Sequence, residues 1–206
     1  NHKLLVPAEY SGSEVLHDDE TEQVETRFTC TDGRSIMLHC PAEAYAFVYS
    51  DEINMDSVGV YLKEVLATHL PENVENITLN LREEVITSPF YHYTHGLKKH
   101  DGNCQRIAHG HRSRIDIILD GNVSVESQQY WADRWEDIYI ATQEDEIAYS
   151  DRKLKGTVDN AEDYYCFAYE SSQGYFELLI PKSDCQVIDT DSTVECLAQY
   201  LLEEQK

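Results

Sequence analysis

Between Phe90 and Gly121 the chain reads FYHYTHGLKKHDGNCQRIAHGHRSRIDIILDG. This stretch holds His92, His95, His100, His109 and His111, five of the nine histidines, together with Cys104. Neutral imidazole is the commonest side-chain metal ligand, so a dense His group beside a thiol is a candidate metal site. From Arg112 onward the residues alternate as a strand does, with Ser113, Ile115, Ile117 and Leu119 on one face. Carried back, that period places His109 and His111 side by side on the Ile115 face, where two imidazoles can share one ion. A third ligand has to come from a neighbouring strand, and His95 can supply it if the turn-rich segment 98–103 closes a hairpin. Three His ligands leave a coordination position for substrate, as catalytic zinc requires; a fourth protein ligand would make the site structural. Cys104 follows the turn signal Asp101-Gly102-Asn103, and a thiol works as base or nucleophile only as the thiolate, which needs a nearby cation. The plain alternative is a set of satisfied core histidines and a turn cysteine.

The chain has 206 residues, 41% of them hydrophobic, enough for one large or two small domains with a real core. No apolar run is long enough to span a membrane, so no membrane is expected as partner. A formal net charge of −23 argues against a nucleic-acid or anionic-lipid surface. Against that background Lys98, Lys99, Arg106, Arg112 and Arg114 stand out, read either as an anion-binding group or as ordinary solvated charges. The six cysteines (Cys30, Cys40, Cys104, Cys166, Cys185 and Cys196) form no CxxC pair. Residues 1–12 show no secretory pattern, so the thiols are read as reduced and the expected location is cytoplasmic.

The positioning elements follow from periodicity. Residues 8–23 are polar and read as a loop. Val24–Cys30 and Ser35–Cys40 alternate around Thr31-Asp32-Gly33-Arg34, a hairpin, and Ala44–Tyr49 is a short strand. Asp56 or Ser57 can cap a helix running to about Leu70, with Val58, Leu62, Val65, Leu66 and Leu70 as its stripe. Ile77, Leu79 and Leu81 then alternate as a strand. Val125–Ala141 reads as one helix with Trp131 and Trp135 buried, and 142–160 as an exposed connection. Two strands, 164–169 and 175–180, precede a short strand at Val187 and Ile188. A helix to the terminus follows, with Ser192 and Glu195 fitting a capping box. His17, His39, His69 and His100 read as incidental.

The order Gly33, strand, Pro41, short strand, capped helix recurs as Gly174, strand, Pro181, short strand, capped helix. The expectation is an α+β chain of duplicated units. Residues 1–88 would be the C-terminal part of a first unit with its front half absent, and 89–206 a second unit carrying the histidines.

Here the residues resemble a family. CQRIAHGHRSRIDIILDG preceded by THGL is similar to the signature of the 6-pyruvoyltetrahydropterin and 6-carboxytetrahydropterin synthases. The resemblance implies the tunnelling fold, antiparallel sheets with helices on one face assembled into barrels, and hence a homo-oligomer. It implies zinc on His95, His109 and His111, with Cys104 as catalytic thiol. Asn1-His2-Lys3-Leu4-Leu5 looks like the family's Asp-His motif with Asn in place of Asp, which makes His2 the proton carrier. Leu79-Asn80-Leu81-Arg82-Glu83 looks like the strand whose Glu anchors the pterin ring, so Glu83 is the expected anchor and Glu84 its near neighbour. Lys98 and Lys99 would meet a substrate triphosphate. The implied activity is a zinc-dependent lyase forming 6-carboxytetrahydropterin from dihydroneopterin triphosphate, on the queuosine route. The 6-pyruvoyl product and a non-catalytic zinc/pterin-binding module are the alternatives. The expected site is composite, with His2 and Glu83 from the first unit and zinc and Cys104 from the second.

Overall fold

Alternating and apolar segments, each cut short by Gly, Pro or an acidic turn, produce a strand-rich α+β chain. The computed structural model describes residues 2–18 and 20–204. In chain order the elements are β1 (Leu4–Pro7), β2 (Ser13–Asp18), β3 (Gln23–Thr29), β4 (Ser35–Pro41), β5 (Tyr45–Val48), α1 (Met55–Ala67), β6 (Phe90–His95), β7 (His109–Arg114), β8 (Ile118–Leu119), β9 (Asn122–Val123), α2 (Val125–Arg134), β10 (Ile138–Thr142), β11 (Glu146–Ile147), β12 (Tyr164–Ser171), β13 (Gly174–Pro181), β14 (Cys185–Ile188) and α3 (Val194–Glu204).

Two sheets matter for the site. One is four-stranded, in the order β14-β10-β6-β7, with β6 and β7 antiparallel and β10 parallel to both its neighbours. The other is six-stranded, β11-β12-β13-β4-β3-β2, and antiparallel throughout. β1 and β5 form a separate parallel pair. Tyr139, Ile107, Phe167, Phe176, Leu178 and Val24 belong to one core cluster. On the other side Trp131 of α2 and Trp135 just after it pack with Tyr91, Tyr93, Ile140 and Leu197, which ties α2 and α3 to the sheet that carries the histidines.

Several elements differ from the sequence reading, each for a physical reason. Ser13–Asp18, read as loop, is an edge strand because it finds β3 as partner. The cap of α1 is Asn54, not Asp56 or Ser57. Its side chain accepts from Asp56 N and Ser57 N, and Ser57 returns the bond to close a capping box. The alternating run Ile77 to Leu81 forms no strand: with no neighbouring strand to satisfy its backbone groups, residues 71–88 stay irregular. The helix after Val125 stops at Arg134. Asp137 takes a left-handed backbone (φ 54°), and Ile138–Thr142 becomes a strand held on both sides by β6 and β14.

The 142–160 connection is not simply exposed, for a strap of backbone is pinned across the six-stranded sheet. Lys153 N and Leu154 N donate to the two carboxylate oxygens of Glu177 (2.8 and 3.0 Å), and Lys155 N and Gly156 N to those of Glu25 (both 2.8 Å). Leu154 is buried beside Met37, Cys166 and Leu179. His39, read as incidental, is buried and sits in register between Glu25 and Glu177. Gly156 fits because a Cβ there would lie 2.7 Å from the Met37 sulfur. Glu177 is fully buried and also accepts from the Tyr175 hydroxyl at 2.6 Å. Glu177→Ala therefore orphans three donors at once and is expected to lower unfolding stability by about 3 kcal/mol or more. Chemical denaturation measures this, and a loss under about 1 kcal/mol would show that the carboxylate does not hold the strap.

Candidate metal centre

The β6–β7 hairpin does what the alternation required. Its register sets His95 directly opposite His109, and Tyr93 opposite His111. Successive residues point to opposite faces, so His95, His109 and His111 share one face while His92 and Arg112 share the other. The three imidazoles form a triangle, with ring centroids 4.4 Å (His95–His109), 5.0 Å (His95–His111) and 5.0 Å (His109–His111) apart. One ligand nitrogen from each lies within 4.8 Å of the others, a geometry able to hold a metal ion.

The state of each ring follows from its second nitrogen. His109 Nδ1 lies 2.9 Å from the Arg106 carbonyl, which can only accept, so Nδ1 carries the proton and Nε2 presents its lone pair. His95 Nδ1 lies 2.8 Å from Ser192 Oγ. The Nε2 atoms of both rings are buried with no hydrogen-bond partner. Buried polar atoms without partners are rare, and two converging on one point fit a cation. Burial, reinforced by the neighbouring imidazoles, pushes His95 down to about 2. Burial also pushes His109 down to about 4, and lowers His111. At neutral pH all three are therefore neutral, as ligation demands. Tyr93 stacks on His111 with centroids 5.6 Å apart, fixing the third ring.

A second group meets the first at His109. His2, Cys104 and His109 also bring their ligand atoms within 4.8 Å of one another. The His2 ring lies 5.0 Å from that of His109 and 5.8 Å from that of His111. Arg106 Nη1 donates to the His2 carbonyl at 3.2 Å, docking the start of the chain onto the loop before β7. Cys104 sits in a short 3-10 turn, Gly102–Gln105, and is half-buried. That loop is held from below. Tyr169 OH donates to the Gln105 carbonyl and Tyr139 OH to the Ile107 carbonyl, both at 2.8 Å. Gly96, directly after His95, lets the Tyr169 hydroxyl and the Ile107 backbone approach where a Cβ would lie 2.1 and 2.8 Å away.

The structure thus gathers His95, His109, His111, Cys104 and His2, while Glu83 is not among them and Lys98 and Lys99, though in the neighbouring loop, are engaged elsewhere. Glu83 is exposed in the irregular segment. Its neighbour Glu84 accepts from Arg112 Nη1 through its carbonyl, and Arg112 lies on the face of the hairpin opposite the imidazoles. Lys98 and Lys99 are already paired: Lys98 Nζ with Asp145 (2.5 Å) and Glu144 (3.2 Å), Lys99 Nζ with Glu144 (2.9 Å) and Asp191 (3.2 Å). Three carboxylates against two ammonium groups leave that cluster net negative, a poor receptor for a polyphosphate. Asn1, whose identity bears on the His2 motif, lies outside the described residues. Sequence reading missed Ser192, whose position before α3 made it look like a helix cap; no local signal could tie it to His95, 97 residues away.

No protein-family model, no curated protein and no solved structure matches this chain. Among the described residues no helix is long and apolar enough to cross a membrane.

Proposed function

We propose that the chain is a zinc-dependent lyase acting on the hydroxylated side chain of a dihydropterin, of the 6-carboxytetrahydropterin synthase type and on a duplicated tunnelling fold. The observation that carries this reading is the meeting at His109 of a three-imidazole group and a His2–Cys104 pair. His95, His109 and His111 would hold the ion through neutral imidazoles, the Nε2 atoms of His95 and His109 being otherwise unpartnered. When bound, zinc supplies Lewis-acid polarisation of the substrate's hydroxyl oxygens. Cys104 Sγ is the base that takes a proton from the adjoining carbon, and His2 holds or returns protons beside it. Because His2 reaches the site from the far end of the sequence, the composite arrangement is the one the residues favour.

Duplication is supported by geometry as well as order. β4 and β13 each lead through a short 3-10 turn into a strand, and each of those strands, β5 and β14, lies parallel to one partner and precedes a helix. β4 and β13 pair antiparallel at the centre of the large sheet, with Leu38 opposite Leu178. α1 buries none of its side chains and exposes Met55, Val60, Val65 and Leu66, in keeping with a homo-oligomer. A cytoplasmic setting accords with six free thiols.

A second reading is a zinc- and pterin-binding module without turnover, favoured by the Asn that stands beside His2 where the motif has Asp, since an amide cannot stabilise an imidazolium as a carboxylate does. Metal-loaded protein incubated with dihydroneopterin triphosphate separates the readings. Acetaldehyde with a 6-carboxytetrahydropterin product supports the synthase, and a 6-pyruvoyl product the sister activity. Bound zinc with no consumption of any dihydropterin would leave only the module.

A further inference from the structure

Among the described residues Ser192 is a fully buried hydroxyl that touches a metal-competent side chain. It is 0% exposed, and its Oγ lies 2.8 Å from His95 Nδ1. The capping role its sequence position offers falls instead to Thr193. The Leu197 amide donates to the Thr193 carbonyl at 2.9 Å, and the Cys196 amide reaches Thr193 Oγ1 at 3.4 Å. Ser192 is thereby free to face the imidazole. The same loop, between β14 and α3, grips the histidine hairpin a second time through Asp191, whose carboxylate takes Lys99 Nζ at 3.2 Å. The loop is anchored in turn by β14 on one side of β10, while β6 lies on the other.

We propose that Ser192 is a positioning residue for the metal centre: it accepts the His95 Nδ1 proton, fixes that tautomer and aims Nε2 at the ion. The alternative hydrogen bond, hydroxyl to Nδ1, would put the proton on Nε2 and leave His95 unable to ligate. His109 needs no such help, because the Arg106 carbonyl leaves its ring no choice of tautomer. His95 is the ring with a choice, because the Ser192 hydroxyl can either accept from Nδ1 or donate to it, and only acceptance leaves Nε2 free to ligate. The inference rests on the metal reading above but assigns a role to a residue that reading does not use.

The test is zinc affinity of the whole chain, measured by competition with a chromophoric chelator, for wild type, Ser192→Ala and Ser192→Thr. Ser192→Ala is expected to weaken zinc by about 10-fold or more, the usual range for removing an outer-shell partner. Ser192→Thr, which keeps the oxygen, should recover most of the loss. Unchanged affinity in a folded Ser192→Ala overturns the role and leaves the metal centre standing. Equal losses in both variants overturn it too, since only packing would then be at issue. Nitrogen-15 spectra of the imidazoles in metal-free wild type are a second readout that needs no variant. A protonated His95 Nδ1 supports the proposal, and a protonated Nε2 refutes it. A wild-type chain that binds no zinc overturns both this role and the proposed function.

Discussion

Cys104→Ala will leave zinc binding nearly intact and lower turnover by about 1,000-fold or more. Three nitrogens would suffice to hold a zinc ion, and they lie on β6 and β7, outside the turn that carries Cys104, whose backbone the substitution keeps. The thiol contributes something no other side chain in the cluster can, a soft base beside His2 and His109. Its turn is held by Tyr169 and Tyr139 through backbone carbonyls, so shortening the side chain should not shift the loop. Metal content by elemental analysis and single-turnover consumption of dihydropterin are the paired measurements. The opposite result would be informative. If Cys104→Ala loses zinc along with activity, the sulfur is a fourth ligand, the coordination sphere is closed and the site is structural. His2→Gln divides the same question, and full activity in that variant would end the idea of a composite site.

The contrast between Cys104 and Glu83 shows how far sequence could reach. Strand alternation is a local property, and a single residue of register decides which side chains share a face. The positions of His95, His109 and His111 were therefore readable before any coordinates, once a hairpin was assumed. The Glu83 expectation needed more than alternation. A strand at 77–81 exists only if another strand lies beside it, and sequence pattern says nothing about the neighbour. The same gap explains α2. Its apolar stripe continues through Ile138 and Tyr139 as a helix would, yet those residues are claimed by β6 and β14. The strap at 153–156 was illegible for a different reason. Its fixing groups are backbone amides, which carry no signature, and the carboxylates that receive them sit on β3 and β13, far apart in sequence.

Lys98 and Lys99 are the other half of that lesson. Against −23 overall, two adjacent lysines look like an anion receptor, but the same acidity supplies partners close at hand. The exposed pairs made by Lys99 contribute little stability each, whereas Lys98 meets the buried Asp145. They do set the local field, and here they reduce the attraction a phosphate chain would feel.

His109→Ala should have the largest effect of any single change, because both groups pass through it. His109 is 1% exposed, faces the other imidazoles with an unpartnered Nε2, and is locked through Nδ1 to the Arg106 carbonyl. Losing one of three ligands leaves two, too few for a tight site, and also removes the ring that Cys104 and His2 approach. Zinc at about 1,000 times its dissociation constant stabilises a folded chain by about 4 kcal/mol. In wild type that should appear as a clear rise in Tm on adding zinc, reversed by a chelator, and in His109→Ala it should vanish together with turnover. The metal-free variant carries its own cost, a cavity and the lost hydrogen bond to the Arg106 carbonyl, so the comparison must be the zinc-induced shift and not the absolute Tm. His100→Ala, at an exposed position, is the control and should behave as wild type. A zinc-induced shift that survives in His109→Ala would mean that the ion sits elsewhere, and the three-imidazole centre would have to be abandoned.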